Sequence, residues 1–354
     1  MIVVGVDAHK RTHTLVAVDE NGRILGERTV EARASGHSEA ITWVRDTYGR
    51  DVTWGIEDCR QVSAGLERAL VAAGETVLRV PTIIMKRTRA AARTPGKSDS
   101  LDAAAVARAV LRESWLPPAS YDTRAQELKL LVDRRADLVD QRTATINRLR
   151  WRVHHADPDR APTRSAFRFS RARTALGEWL ATQSGLSVEI ARDELTDINR
   201  LAEAIAVLDK RISAKVAIAA PSLIALPGCG ELTAAKIVGE AGGVTRFRSE
   251  AAFARVCGVA PVPSSSGDSD RLRPHKYGNR QLNTALHTVA TTQLRLDCPG
   301  RAYYQKRRDG GDKPAKAMRA LKRRLARVVY NRLRCDALAG TDQVQKIFES
   351  TSDS

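Results

Sequence analysis

Within its first 31 residues the chain places three β-rich runs in succession, and a helix-strand alternation follows directly. "MIVVGVD" is β-branched up to Asp7, and "HTLVAVD", the turn "ENG" and "RILGERTV" read as a hairpin. An Asn-Gly turn between two apolar runs is a strong short-range signal for that motif. "GHSEAITWVRDTYG" then carries helical spacing through Ile41, Val44 and Tyr48. "DVTWGIED" reads as a strand, "VSAGLERALVAAG" as a helix, "ETVLRVP" as a strand and "KSDSLDAAAVARAV" as an alanine-rich helix. Three strands, helix, strand, helix, strand, helix is a mixed α/β order, and it bounds a first domain over residues 1–120.

That order separates four carboxylates in sequence and brings them near one another in space. Asp7 lies near the end of the first strand, Glu57 ends the fourth, and Asp99 and Asp102 open the next helix. Residues i and i+3 share a helical face, so Asp99 and Asp102 can aim at one spot. Ligand sites of open α/β sheets form at strand ends. Each acid also has a plainer reading. Asp99 can cap the helix with Asp102 in its first turn, Asp7 can sit in a turn, and Glu57 can be an exposed strand terminus beside an equal candidate, Asp58. Taken jointly, acids from three separate segments form an oxygen-rich set of the kind that suits magnesium.

Charge narrows the class of partner. The net charge is +17, and residues 223–354 hold 23 Lys+Arg against 12 Asp+Glu, so +11 of it sits in the last third. A polyanion is the expected ligand. Five scattered cysteines without a C-x-x-C pair read as reduced thiols rather than disulfides or a zinc site. No apolar run approaches the roughly 20 residues of a membrane helix, and "MIVVGVD" is too short for a signal peptide, so the expectation is a cytoplasmic protein.

Residues 121–219 read as a helical, coiled-coil-like spacer. Leu128, Leu131, Leu138, Ile146, Leu149 and Val153 form one apolar stripe, and Ile198, Leu201, Ile205, Leu208 and Ile212 form a second. Pro158 and Pro162 interrupt them. An antiparallel coiled arm, a dimer seam and an ordinary bundle all satisfy this pattern. Arginines accumulate on the first helix around Trp151, and Arg148 and Arg152 are candidate nucleic-acid contacts. His154 and His155 lack a third ligand and imply no metal.

Residues 220–340 form a mainly helical C-terminal domain, with 341–354 as a tail. In "LIALPGCGELTAAKIVGE" a glycine-rich turn leads into a helix, so Gly228, Gly230 and Lys236 can meet a phosphate. That stretch resembles the helix-hairpin-helix motif, which clamps DNA backbones irrespective of sequence. "VAPVPSSSGDSD" reads as a loop. Residues 301–334 carry 13 Lys+Arg against 2 Asp+Glu with an apolar stripe through Ala317, Leu321, Leu325, Val328 and Val329. They read as a basic helix whose Lys322, Arg323, Arg324 and Arg327 neutralise phosphates.

The order and residues of the first domain resemble the RNase H-like fold in its RuvC-type form, with Asp7, Glu57, Asp99 and Asp102 as a D-E-D-D set. "GVDAHK", "GIE" and "KSDSLDA" resemble in particular the N-terminal domain of the DEDD transposases of insertion sequences. Those enzymes also carry a C-terminal transposase domain with G-[LV]-x-P, Ser-Gly and K-x-G-N segments. Gly258-Val259-Ala260-Pro261, Ser266-Gly267 and Lys276-Tyr277-Gly278-Asn279 stand here in the same order, with Arg280 directly after. "QLNTALH" departs from the family by lacking its Leu-Arg pair.

The resemblance implies a recombinase that excises and inserts an element. Ser266 would be a nucleophile forming a phosphoserine, with Ser265 and Ser264 as other registers of the same run. Two Mg2+ ions would be held by the four acids, and Lys276, Asn279 and Arg280 would touch nucleic acid. Donor and target DNA, a structured non-coding guide RNA and a homo-oligomer, dimer or tetramer, are the implied partners. No membrane is implied, and association with the bacterial nucleoid would come through DNA. Two other readings keep the acids or the charge alone: a RuvC-like junction or flap endonuclease using water, and a non-enzymatic nucleic-acid scaffold.

Overall fold

The computed structural model describes every residue except 58–61, 83, 86–97, 115, 117, 120–121, 267–268, 275–277 and 353–354. For 262–266, 269–274 and 340–352 it describes the backbone alone. The chain divides into two units, one built from Met1–Thr123 and Ala241–Ser354, the other from Arg124–Glu240.

In the first unit β1 (Ile2–Ala8), β2 (Thr12–Val18) and β3 (Ile24–Glu31) pair antiparallel, and β4 (Val52–Glu57) and β5 (Thr76–Val80) join parallel, giving the order β3-β2-β1-β4-β5. This is the RNase H-like sheet. Helices cover both faces, which is why β1 is apolar without alternation. On one face Val4, Val6, Leu15, Ala17 and Ile56 pack in a cluster with Ala40 and Val44 of α1 (Ala34–Tyr48) and Leu66 and Leu70 of α2 (Ala64–Ala72). On the other, Val3, Val16 and Val18 meet Ala103, Ala104, Val106, Ala107 and Val110 of α3 (Asp99–Arg112).

Under α1 two histidines stack. His13 and His37 have ring centroids 5.3 Å apart and Nε2 atoms 3.3 Å apart. Burial first, then the fields of His37 and His9, push the His13 pKa down to about 4. The folded state therefore binds this proton more weakly than the unfolded chain. The resulting stability is complete above the unfolded value of 6.5 and is lost as pH falls towards about 4. Urea midpoints are expected to fall across that window in wild type and to fall less in His13→Phe.

The second unit is helical. α4 (Thr123–Ala156) is joined to α5 (Ser170–Ala181) through short 3-10 turns at Pro158–Arg160 and Ala166–Arg168, and α6 (Leu186–Ala219) follows. Ile146, Leu149 and Val153 pack in one cluster with Val188 and Ile198, while Leu138 packs with Leu201, Ile205 and Leu208. Rising numbers in α4 meet falling numbers in α6, so the two helices run antiparallel and bury their stripes against each other within the chain. Short α7 (Pro221–Ile224) and α8 (Glu231–Ala241) flank the glycine turn.

The rest of the first unit is α9 (Glu250–Val256), a hairpin of β6 (Pro261–Ser266) and β7 (Ser269–Pro274), α10 (Arg280–Gln293), α11 (Pro299–Asp309) and α12 (Pro314–Ser352). Three expectations change here. The serine segment is a paired strand rather than a loop. The basic helix is two helices, because Gly310, Gly311 at φ 84° and Pro314 end one and start the next. The tail is helical backbone as far as Ser352, continuing α12. On α12, Ala317, Leu321, Leu325 and Val329 are buried as the stripe requires, and Tyr330 Oη donates to Phe247 O at 3.1 Å. Among the described residues no helix is long and apolar enough to cross a membrane.

Candidate active site

Two glycines set the geometry of the acids. A methyl group on Gly5 of β1 would lie 2.0 Å from Ala103 O and 2.5 Å from Ala107 N, and one on Gly55 of β4 would lie 2.6 Å from Val110 Cγ2. Bare glycine on adjacent strands thus lets α3 lie directly on the sheet. Asp7 and Glu57 stand two residues beyond these glycines on the same face, since side chains alternate along a strand. The register supports this, because Val6 pairs with Ile56 and the two acids are the next step on each strand.

The start of α3 supplies the other two acids. Ser98, and not Asp99, caps the helix, its Oγ accepting from Leu101 N at 3.2 Å. The Asp99 carboxylate is thereby free of capping and faces His9. His9 Nε2 lies 3.0 Å from Asp7 Oδ2 and 3.3 Å from Asp99 Oδ1. Asp7 and Asp102 are each 8% exposed, whereas Asp99 is exposed and Glu57 half-buried. Burial raises the pKa of Asp7 above the usual carboxylate range, the fields of Asp102 and Asp99 raise it further, and His9 opposes them. A cavity of about 460 Å³ bordered by Thr14, Glu27, Thr29 and Asp99 opens beside the cluster.

Ligand atoms of Asp7, His9 and Asp99 all lie within 4.8 Å of one another. Hard carboxylate oxygens, two of the acids buried and mutually repulsive, fit a divalent cation. His9 is the member of this group that sequence reasoning did not single out. The signal was its place two residues after Asp7 in "VDAHK", directly after the strand end. Asp58 lies outside the described residues.

The serine hairpin is held at its base. Gly258 has φ 67°, and a Cβ on Gly278 would lie 2.2 Å from Gly258 N, so the two segments cross where only glycine fits. Asn279 N donates to Val256 O at 2.6 Å. Its side-chain oxygen caps α10, accepting from Gln281 N at 2.8 Å and Leu282 N at 3.0 Å. Asn283 Nδ2 donates to Cys257 O at 3.0 Å and Gly258 O at 3.2 Å, and its Oδ1 accepts from Lys322 Nζ at 2.8 Å. Burial lowers the Lys322 pKa, with Arg319 adding to the effect. Asn283→Ala removes all three bonds, and a loss of about 1–3 kcal/mol in urea unfolding is expected.

Ser266 ends β6 opposite Ser269, and Ser264 and Ser265 precede it on the strand. Lys276 lies outside the described residues. Several expected nucleic-acid contacts have protein partners. Arg323 and Arg327 approach Glu250 at 3.8 and 3.0 Å, Arg324 sits 4.7 Å over the Tyr303 ring, and Arg148 and Arg152 both bind Glu194. Arg280 is exposed at the start of α10, and Lys236 is half-buried on α8. Gly228 has φ 80°, as its turn demands, whereas a Cβ on Gly230 would meet nothing within 4 Å. Packing thus leaves the backbone at Gly230 open to approach.

Comparison with known proteins gives a consistent picture. The DEDD transposase model of the IS110 group, described as Transposase, matches residues 4–154, and the model described as Transposase IS116/IS110/IS902 family matches residues 220–305. The 42 kDa protein of insertion element IS900 from Mycobacterium paratuberculosis is 29% identical, covering 94% of this chain and 96% of its own. The 44.8 kDa protein of insertion element IS116 from Streptomyces clavuligerus is 27% identical, covering 94% of each. Among solved structures, Thermus thermophilus RuvC in complex with a Holliday junction substrate matches 34% of this chain and 99% of its own, at 17% identity and a TM-score of 0.27.

Proposed function

The chain belongs to the IS116/IS110/IS902 family of transposases, and from that membership we propose that it recombines an insertion element with target DNA through Ser266 and a metal site of Asp7, Glu57, Asp99 and Asp102. The observation that carries the proposal is the gathering of Asp7, His9 and Asp99 within 4.8 Å beneath α3, with Asp102 close enough to act on Asp7. Two Mg2+ ions are proposed there, and bound divalent ions supply charge neutralisation to the attacking and leaving oxygens of a phosphodiester.

The protein's own residues carry the rest. Asp7 and Asp102 present buried carboxylates, and His9 bridges Asp7 and Asp99. The Ser266 hydroxyl gives its proton to solvent and attacks phosphorus; the Oγ–P bond forms as the P–O bond to the leaving strand breaks, and the departing oxygen takes up a proton from solvent to become a free hydroxyl. The phosphodiester energy is kept in the phosphoserine, so an incoming strand can reverse the step without an external energy source. The proposal includes a structured non-coding RNA as guide and a homo-oligomer that unites several active sites. Both follow from the family resemblance, and the +11 charge of the last third suits a polyanion.

The test incubates full-length protein, Mg2+, guide RNA and labelled element-end DNA. Ser266→Ala is expected to lose strand cleavage, whereas Ser265→Ala keeps it. Cleavage retained by Ser266→Ala assigns the attack to water and overturns the nucleophile.

A further inference from the structure

Arginines in the helical unit are used unevenly. Arg148 and Arg152 share Glu194, and Arg135 grips Asp209. Arg142 of α4 and Arg164 and Arg168 of the following connection instead converge on a cavity of about 470 Å³. None of these three forms an ion pair or a side-chain hydrogen bond among the described residues. Burial lowers the Arg142 pKa, and the fields of Arg135, Arg173 and Arg168 lower it further against the pull of Asp209. The cavity is therefore a place where like charges crowd together, and Asp209 is already engaged by Arg135.

The connection is also fixed in advance. Arg150 Nε donates to Pro162 O at 2.9 Å, and Arg173 Nη1 donates to Phe167 O at 2.8 Å, so both ends of the segment carrying Arg164 and Arg168 are tied to helices. Thr143 and Ser165 add hydroxyls to the lining, and buried Phe167 adds an apolar wall. Guanidinium forks and hydroxyls on a prebuilt frame match the oxygens of a phosphate diester.

We propose that this cavity binds a backbone phosphate of a nucleic acid, anchoring the strand to the helical unit. The choice of a polynucleotide over a free phosphate rests on the transposase reading above. The arginines expected from sequence to do this, Arg148 and Arg152, share the carboxylate of Glu194, and the role passes to Arg142, Arg164 and Arg168.

The test measures binding of full-length protein to labelled single-stranded RNA and to duplex DNA by fluorescence anisotropy across a salt series, in chelator so that nothing is cut. Arg164 and Arg168 are exposed, so the Arg164→Ala/Arg168→Ala double variant leaves packing intact; Arg142→Lys tests the half-buried member with its charge kept. The double variant is expected to bind at least one of the two probes about tenfold more weakly, with the slope of log affinity against log salt shallower by about 1. Arg142→Lys is expected to weaken binding with the slope kept. Unchanged affinity and slope for both probes overturn the proposal. So does a variant that loses competition by inorganic phosphate but keeps its polynucleotide affinity. The outcome is independent of Ser266: wild type that cleaves while the double variant binds normally sinks this inference alone, and a weakened variant beside an active Ser266→Ala sinks only the nucleophile.

Discussion

Asp7→Asn is expected to abolish strand cleavage while making the metal-free protein more stable. Removing one preorganised charge from such a site lowers rate by about three orders of magnitude. The stability gain has a separate cause. The folded-state pKa of Asp7 is raised by burial and by Asp102 and Asp99, so ionising it works against folding. A group of this kind contributes stability below its unfolded pKa and loses it as pH rises through the folded one. At neutral pH in chelator, Asp7→Asn should therefore melt above wild type, and the gap should close on acidification below the carboxylate range. Added Mg2+ should raise the melting temperature of wild type and leave that of Asp7→Asn unchanged, because a ligand that binds only the folded state stabilises by mass action. A variant destabilised in chelator, or one that still cleaves, contradicts this account of the cluster.

Gly5→Ala is expected to lose both fold stability and activity. Its new methyl would lie 2.0 Å from Ala103 O and 2.5 Å from Ala107 N, both backbone atoms of α3, so no side-chain rotation relieves the clash. Overpacking of this kind costs about 3 kcal/mol or more. Because α3 carries Asp99 and Asp102, lifting it off β1 also spreads the acids. Gly177→Ala on α5 is the matched control, since its methyl meets only Leu195 Cδ2 at 3.4 Å and alanine favours the helix. Urea midpoints and cleavage rates on the pair separate helix seating from a general effect of the added methyl.

The α/β order of the first domain was legible because each strand signal was local: a β-branched run, an Asn-Gly turn, a second run. Asp7, Glu57, Asp99 and Asp102 followed from strand ends and helical spacing. What the chain hid were effects made by contact across distant segments. Ser98 rather than Asp99 caps α3, a choice that depends on backbone angles at one position. His9 became part of the cluster because the loop after β1 folds back toward α3. The serine run looked like a connector by composition, yet Ser266 pairs with Ser269. Arg148 and Arg152 looked like a basic face because Glu194, their partner, lies over 40 residues away on α6.

The most direct measurement is to incubate protein, Mg2+, guide RNA and element-end DNA, denature the mixture, and identify by mass spectrometry the peptide left attached to DNA. The account requires a denaturant-resistant adduct whose peptide carries the phosphate on Ser266, absent from Ser266→Ala and from Asp7→Asn. Cut DNA with no attached peptide, or an adduct on another residue, contradicts it.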